Sequence, residues 1–362
     1  MRKSMNIRRV ILRSLPIALV LFSVSCKPGK DNDRQSAAEA ADGVLGSEGQ
    51  SPQVEDQRAA VPDDINNEFT NICRNTEAES PVGKTIKAMS IAVSGRNCSE
   101  TFMALNEGKS LNLDSQNLTD ISPLAHFPQL ARVFLAHNQI TSVTALRGLT
   151  GLLELDLKGN KIESFEGELN WPALERLNLS DNPFNDLASL SSFVELNMLN
   201  LSNTSVRSLA DLPSFGKLAD LRIEGNSLTS VSELAAITSL ENLNVKSNQL
   251  SSFSGLESLT NLFELFFENN QITDVGELSA LTKLKFLSGE NNNISTLAPL
   301  TTLTELRYLL LSNNNITDVS DANSIVVMSQ LDLSGNPISD SKSPANCPST
   351  GGSTGFNSFC GN

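Results

Sequence analysis

A leucine returns at every twenty-second position from Leu130, at Leu152, Leu174, Leu196, Leu218, Leu240, Leu262, Leu284 and Leu306, with no insertion or deletion between them. A phase held over so many copies marks a repeat protein. The copy LTNLFELFFENNQITDVGELSA, beginning at Leu259, shows the unit. Leu262, Leu265, Phe267, Ile272, Val275, Leu278 and Leu281 are apolar, and Asn270 stands between a strand and a turn. Extending the phase outward places a first coil at Gly108 and a truncated last one at Met328, so eleven coils are expected over residues 108–342.

Alternation within the unit predicts a short strand at Leu265, Phe266 and Phe267, with Leu265 and Phe267 turned inward and Phe266 outward. Asn270 follows. Its amide both donates and accepts, so it can satisfy backbone groups that the turn would otherwise bury without partners. The same phase holds Asn138, Asn160, Asn182, Asn226, Asn248, Asn292, Asn314 and Asn336, with Gln116 and Thr204 as exceptions. Stacking turns these residues into a ladder. Each coil exposes apolar faces to both neighbours, so none folds alone and both ends of the array need caps.

These residues resemble the leucine-rich-repeat family, in the 22-residue class found in the bacterial internalins and in a phosphatase regulator. The resemblance covers Gly108 to about Ser339. It implies an α/β solenoid shaped as a right-handed horseshoe, with a parallel β-sheet on the concave side and short helical turns on the convex side. It also implies protein binding as the usual role, with chemistry rarely performed by the repeats themselves.

The chain opens with Arg2, Lys3, Arg8, Arg9 and Arg13 before an apolar run from Leu15 to Val24 that is too short for a permanent span. That layout predicts a secretory signal over 1–25. Ser25 and Cys26 resemble a lipoprotein processing site, and ordinary cleavage after the small Ser23 and Ser25 is the alternative. Cysteine arithmetic favours lipid on Cys26. Of five cysteines, Cys73 and Cys98 lie just before the array and Cys347 and Cys360 just after it, so removing Cys26 leaves two local pairs. An exported chain rarely keeps an odd thiol, and each pair is expected to form a disulfide that staples one cap. Zinc is not expected, because the cysteines lack a close ligand pair. Residues 26–62 carry no aromatic side chain and read as a tether with a reach of about 30–35 Å. Residues 63–107 regain Ile65, Phe69, Ile72, Ile86, Met89 and Phe102 and predict a small helical cap, and 343–362 form a Ser/Gly-rich closing loop.

A net charge of −14 makes nucleic acid a poor partner. Only two histidines occur, His126 in the first convex turn and His137 beside the ladder, and no phosphate-binding glycine pattern is present. No catalytic set, metal site or cofactor is therefore expected, and an enzyme is the remote reading. The outward strand positions are mostly polar. Coils eight to ten depart from that with Phe266, Phe286, Tyr308 and Leu310, which strand spacing brings side by side. Glu264, Glu268 and Glu290 border them as an acidic rim. The expected function is recognition of a partner protein by this face, in an exported protein held at a bacterial outer membrane or cell surface by lipid on Cys26. A glycan or cell-wall scaffold is the alternative, since Phe286 and Tyr308 could stack on sugars.

Overall fold

The computed structural model describes residues 65–338 except 168 and 326–328. The expected leader, the tether, Cys26, Cys347 and Cys360 lie outside the described residues.

Three helices come first: α1 (Glu68–Asn75), α2 (Pro81–Ala92) and α3 (Cys98–Glu107). Each starts on a polar cap, as unpaired N-terminal amides require. Asn67 and Thr70 form a reciprocal capping box on α1, Ser80 accepts from Gly83 N with proline at the first turn of α2, and Asn97 accepts from Glu100 N. A Cys73–Cys98 disulfide ties the end of α1 to the start of α3, with Cα atoms 5.9 Å apart. The helices close the open end of the array with Phe69. This buried ring packs edge-on against Phe127 of the first coil at 4.9 Å and beside Phe102 at 6.2 Å.

Eleven three-residue strands follow in one parallel sheet, in sequence order. They are β1 (Ser110–Asn112), β2 (Arg132–Phe134), β3 (Glu154–Asp156), β4 (Arg176–Asn178), β5 (Met198–Asn200), β6 (Asp220–Arg222), β7 (Asn242–Asn244), β8 (Glu264–Phe266), β9 (Phe286–Ser288), β10 (Tyr308–Leu310) and β11 (Gln330–Asp332). Every residue pairs with the one twenty-two positions on, as in Leu243 with Leu265 and Leu265 with Leu287. The strand of the eighth coil begins one residue earlier than alternation suggested. Phe267 lies just beyond it, yet still points inward and is fully buried.

Most connections carry a single 3₁₀ turn, such as Ser232–Ala236 and Gly276–Ala280, packed on the turn of the next coil. The connection from β5 to β6 has turns and bends only, and the described residues between β3 and β4 form no helical turn. There the core is filled by large rings. Trp171 is fully buried, donates to Leu146 O at 2.9 Å and stacks on Phe193 at 5.4 Å.

The asparagine ladder stitches coil to coil. Asn270 Nδ2 donates to Phe267 O of its own coil at 2.9 Å and to Val245 O of the preceding one at 3.0 Å, while its Oδ1 accepts from Leu250 N at 3.0 Å. Asn160, Asn182, Asn248, Asn292, Asn314 and Asn336 repeat the donor pair and the acceptor. Asn138 does the same, accepting from Leu118 N at 2.9 Å, and Asn226 keeps the donor pair. Thr204 substitutes in part, its hydroxyl lying 2.9 Å from both Leu201 O and Asn226 Oδ1.

One position before the ladder, every coil enters the left-handed backbone region. The row runs Ser115, His137, Gly159, Asp181, Asn203, Gly225, Ser247, Asn269, Asn291, Asn313 and Gly335. Glycine, asparagine and aspartate tolerate that conformation with little strain, which accounts for eight of the eleven positions and leaves Ser115, His137 and Ser247 as exceptions.

Candidate functional site

The strands turn two side chains of each coil outward, one on each side of the buried central residue, so register decides which of them meet. Phe286 lies opposite Glu264 on one side and Tyr308 on the other, and Ser288 lies between Phe266 and Leu310. The rings touch in series. Phe266 and Phe286 have centroids 4.9 Å apart at 37°, and Phe286 stacks on Tyr308 at 5.4 Å and 29°. Phe266, Phe286, Tyr308 and Leu310 are all partly exposed. The result is an apolar stripe across three strands of the concave face.

The three acids sit deeper than an exposed rim. Glu268 keeps 13% of its side chain exposed and pairs through Oε1 with Lys246 Nζ at 2.7 Å, while its Oε2 is buried with no hydrogen-bond partner. Lys246 Nζ also stands 4.8 Å from the Phe266 ring centre, a cation over a π face. Ser288 is buried at 2% exposure, with Oγ 2.6 Å from Glu268 Oε1 and 2.6 Å from Glu290 Oε2. Burial pushes the Glu290 carboxyl above its ordinary range and the negative charge of Glu268 adds to this, against the Ser288 hydrogen bond, a backbone hydrogen bond and Lys246. Glu264 is also raised, first by burial and then by Asp220, with Arg222 opposing. Arg222 is itself engaged by Asp220 through Nε at 3.1 Å and a second guanidinium nitrogen at 2.9 Å, and this hydrogen bond raises its already high pKa.

Sequence reasoning missed Lys246 and Ser288. The available signal was size. Ser288 is the one small residue in its row between Phe266 and Leu310, and a small residue there lets longer neighbours fold over it.

The two histidines occupy structural positions. His126 ends a 3₁₀ turn with Nδ1 3.8 Å from Glu68 Oε2, at the seam between the cap and the first coil. His137 belongs to the left-handed row. Among the described residues, no three His, Cys, Asp or Glu side chains gather in a way that could hold a metal ion. None of the described helices is long and apolar enough to cross a membrane.

Comparison with known proteins agrees with this architecture. The model of the leucine rich repeat family matches residues 107–162. The internalin inlF of Listeria monocytogenes is 23% identical over 72% of this chain and 84% of its own, with a TM-score of 0.61. The leucine-rich repeat domain of APL1B is 20% identical over 63% of this chain and 70% of its own, with a TM-score of 0.53. A leucine-rich-repeat protein of Leptospira interrogans is 22% identical over 67% and 76%, at a TM-score of 0.46. No curated protein matches the sequence. At these identities the likeness is one of fold. Eleven coils in one register and the shared solenoid give the chain the leucine-rich-repeat fold, and the family model matches the start of the array.

Proposed function

We propose that this chain is a non-enzymatic binding module that captures a partner protein on the concave face of its sheet. The observation that carries the reading is the continuous row of rings Phe266–Phe286–Tyr308, partly exposed on the concave face and flanked by Leu310. Aromatic groups clustered in this way on a rigid scaffold are the usual anchors of an interface, and parallel strands hold them without loop entropy to lose on binding. The test compares wild type with Phe286→Ala/Tyr308→Ala in pull-down from a cell-envelope extract. Loss of one central anchor commonly weakens binding by about 2 kcal/mol or more, so captured partners should disappear. Both side chains point away from the core, and melting should shift far less than for Leu265→Ala. A double variant that melts normally and retains every partner places the binding site elsewhere.

We also infer that the protein works at the cell envelope, exported by the leader at 1–25 and held by lipid on Cys26. The charged and apolar leader and the odd cysteine support this reading. Detergent partitioning and intact mass of wild type and Cys26→Ser decide it. A wild-type mature protein in the aqueous phase with an unmodified Cys26 overturns the anchor.

A further inference from the structure

The charges of the concave face do not balance. Two cations lie in the coils just before the stripe, and both are engaged: Arg222 by Asp220 at 2.9 Å and Lys246 by Glu268 at 2.7 Å. Glu264 and Glu290 have no ion-pair partner among the described residues. Glu264 stands beside Phe286 in register, and Glu290 lies two residues beyond Ser288.

Counting hydrogens sharpens the deficit at Glu290. Ser288 Oγ is 2.6 Å from a carboxyl oxygen of Glu268 and equally close to one of Glu290. A hydroxyl has one hydrogen to donate, and an ionised carboxylate only accepts. With both acids ionised, one of these contacts sets lone pair against lone pair. One further proton closes the chain: Glu290 donates to Ser288, and Ser288 donates to Glu268. The charged groups facing Glu290 are Glu268 and Lys246, and the matching position of the following coil is Ser312, which does not titrate in this range. The edge of the apolar stripe is thus short of one positive charge.

We propose that the patch receives a partner segment in which an arginine or lysine stands next to apolar side chains. The apolar groups lie on Phe286, Tyr308 and Leu310, and the cation replaces the shared proton at Glu290. This rests on the reading that the concave face is the binding face. Charge complementarity selects the occupant: a long cationic side chain lays its stem along apolar surface and carries its charge to the edge. A guanidinium can also grip a carboxylate in two places and stack on a ring. An acidic residue at the same point would meet Glu268 and Glu290 as like charges. The overall charge of −14 favours approach of a basic segment. Because the cation takes the place of a proton, binding releases that proton and tightens as pH rises.

The test uses the full chain and synthetic peptides of the pattern Gly-Leu-X-Phe-Leu-Gly with blocked ends, where X is arginine, citrulline or glutamate. Citrulline keeps the shape of arginine and removes its charge. Fluorescence anisotropy should show the arginine peptide binding about ten-fold more tightly than the citrulline peptide at mildly alkaline pH, with the glutamate peptide weakest. The advantage should shrink in mild acid and vanish in Glu290→Gln, whose amide supplies the missing hydrogen to Ser288. Equal affinity for arginine and citrulline, or no binding by any peptide of the series, overturns the inference. Equal affinity together with loss of natural partners in Phe286→Ala/Tyr308→Ala leaves the concave binding face standing. Retention of those partners removes that reading instead.

Discussion

Phe267 and Gly289 occupy a single slot between them. They stand at the same phase in neighbouring coils, where the other coils place leucine, isoleucine or valine, including Leu179, Ile223, Val245 and Leu311. The Phe267 ring is fully buried and edge-on to Phe253 at 4.9 Å. A Cβ on Gly289 would fall 2.0 Å from the tip of that ring. One coil carries too large a side chain and the next carries none, and the two departures cancel.

The pair should therefore be strongly coupled. Gly289→Leu alone forces the ring out of its place and is expected to cost about 3 kcal/mol or more. Phe267→Leu alone opens a cavity beside the glycine and should cost about 1–3 kcal/mol. The double variant restores the repeat pattern in both coils and should be more stable than the sum of the single effects by about 1–3 kcal/mol. Urea unfolding of the four proteins measures this coupling, and additive losses would show that the two positions do not share volume.

The ladder makes a second prediction with opposite signs at two of its positions. Asn248 donates to Ile223 O at 2.9 Å and Val245 O at 3.1 Å and accepts from Leu228 N at 3.0 Å, so Asn248→Ala strands buried backbone groups in two coils. A loss of about 1–3 kcal/mol is expected. Thr204 fills the same phase with one hydroxyl, and Thr204→Asn, by restoring the full set of bonds, should raise the unfolding midpoint by about 1 kcal/mol equivalent. Equal midpoints for Asn248→Ala and wild type would contradict the bridging role.

Titration of the concave acids gives a signed pH dependence. Glu264 and Glu290 both have carboxyl pKa values raised above the ordinary 4.5 by burial. The folded state therefore binds their protons more tightly than the unfolded chain, and their contribution is fully present below that ordinary value. It is lost as pH climbs through the raised folded values. Melting temperature followed across the acid range should fall with rising pH by a component that Glu264→Gln/Glu290→Gln removes. An unchanged pH profile in the double variant would mean that neither group titrates differently on folding.

Peptide mapping without reduction should recover Cys73 linked to Cys98, as in the structure. It should also recover Cys347 linked to Cys360, the pairing expected from their positions at the end of the array. Reduction should weaken the first cap by about 2–4 kcal/mol, read as faster amide exchange in α1 and around Phe127. A cross-link between the two ends of the chain would overturn the second pairing.

The sequence by itself determined the number of coils, the parallel register, the inward and outward faces and the ladder. In a solenoid of constant period a residue's phase fixes its depth and its neighbours. Phe286 beside Tyr308 was legible for that reason, because twenty-two residues in the chain become one strand spacing in space. Only the tertiary structure decided how each address is filled. Gly289 is empty because Phe267 enters from the coil below. Ser288 is buried between longer neighbours, and its one hydroxyl lies equally close to Glu268 and Glu290. The left-handed row is likewise a property of backbone geometry, and it accepts side chains as different as Ser247 and His137. Phase is set by local spacing along the chain. Size compensation, proton sharing and the partnering of Lys246 arise from side chains of different coils competing for the same volume and charge.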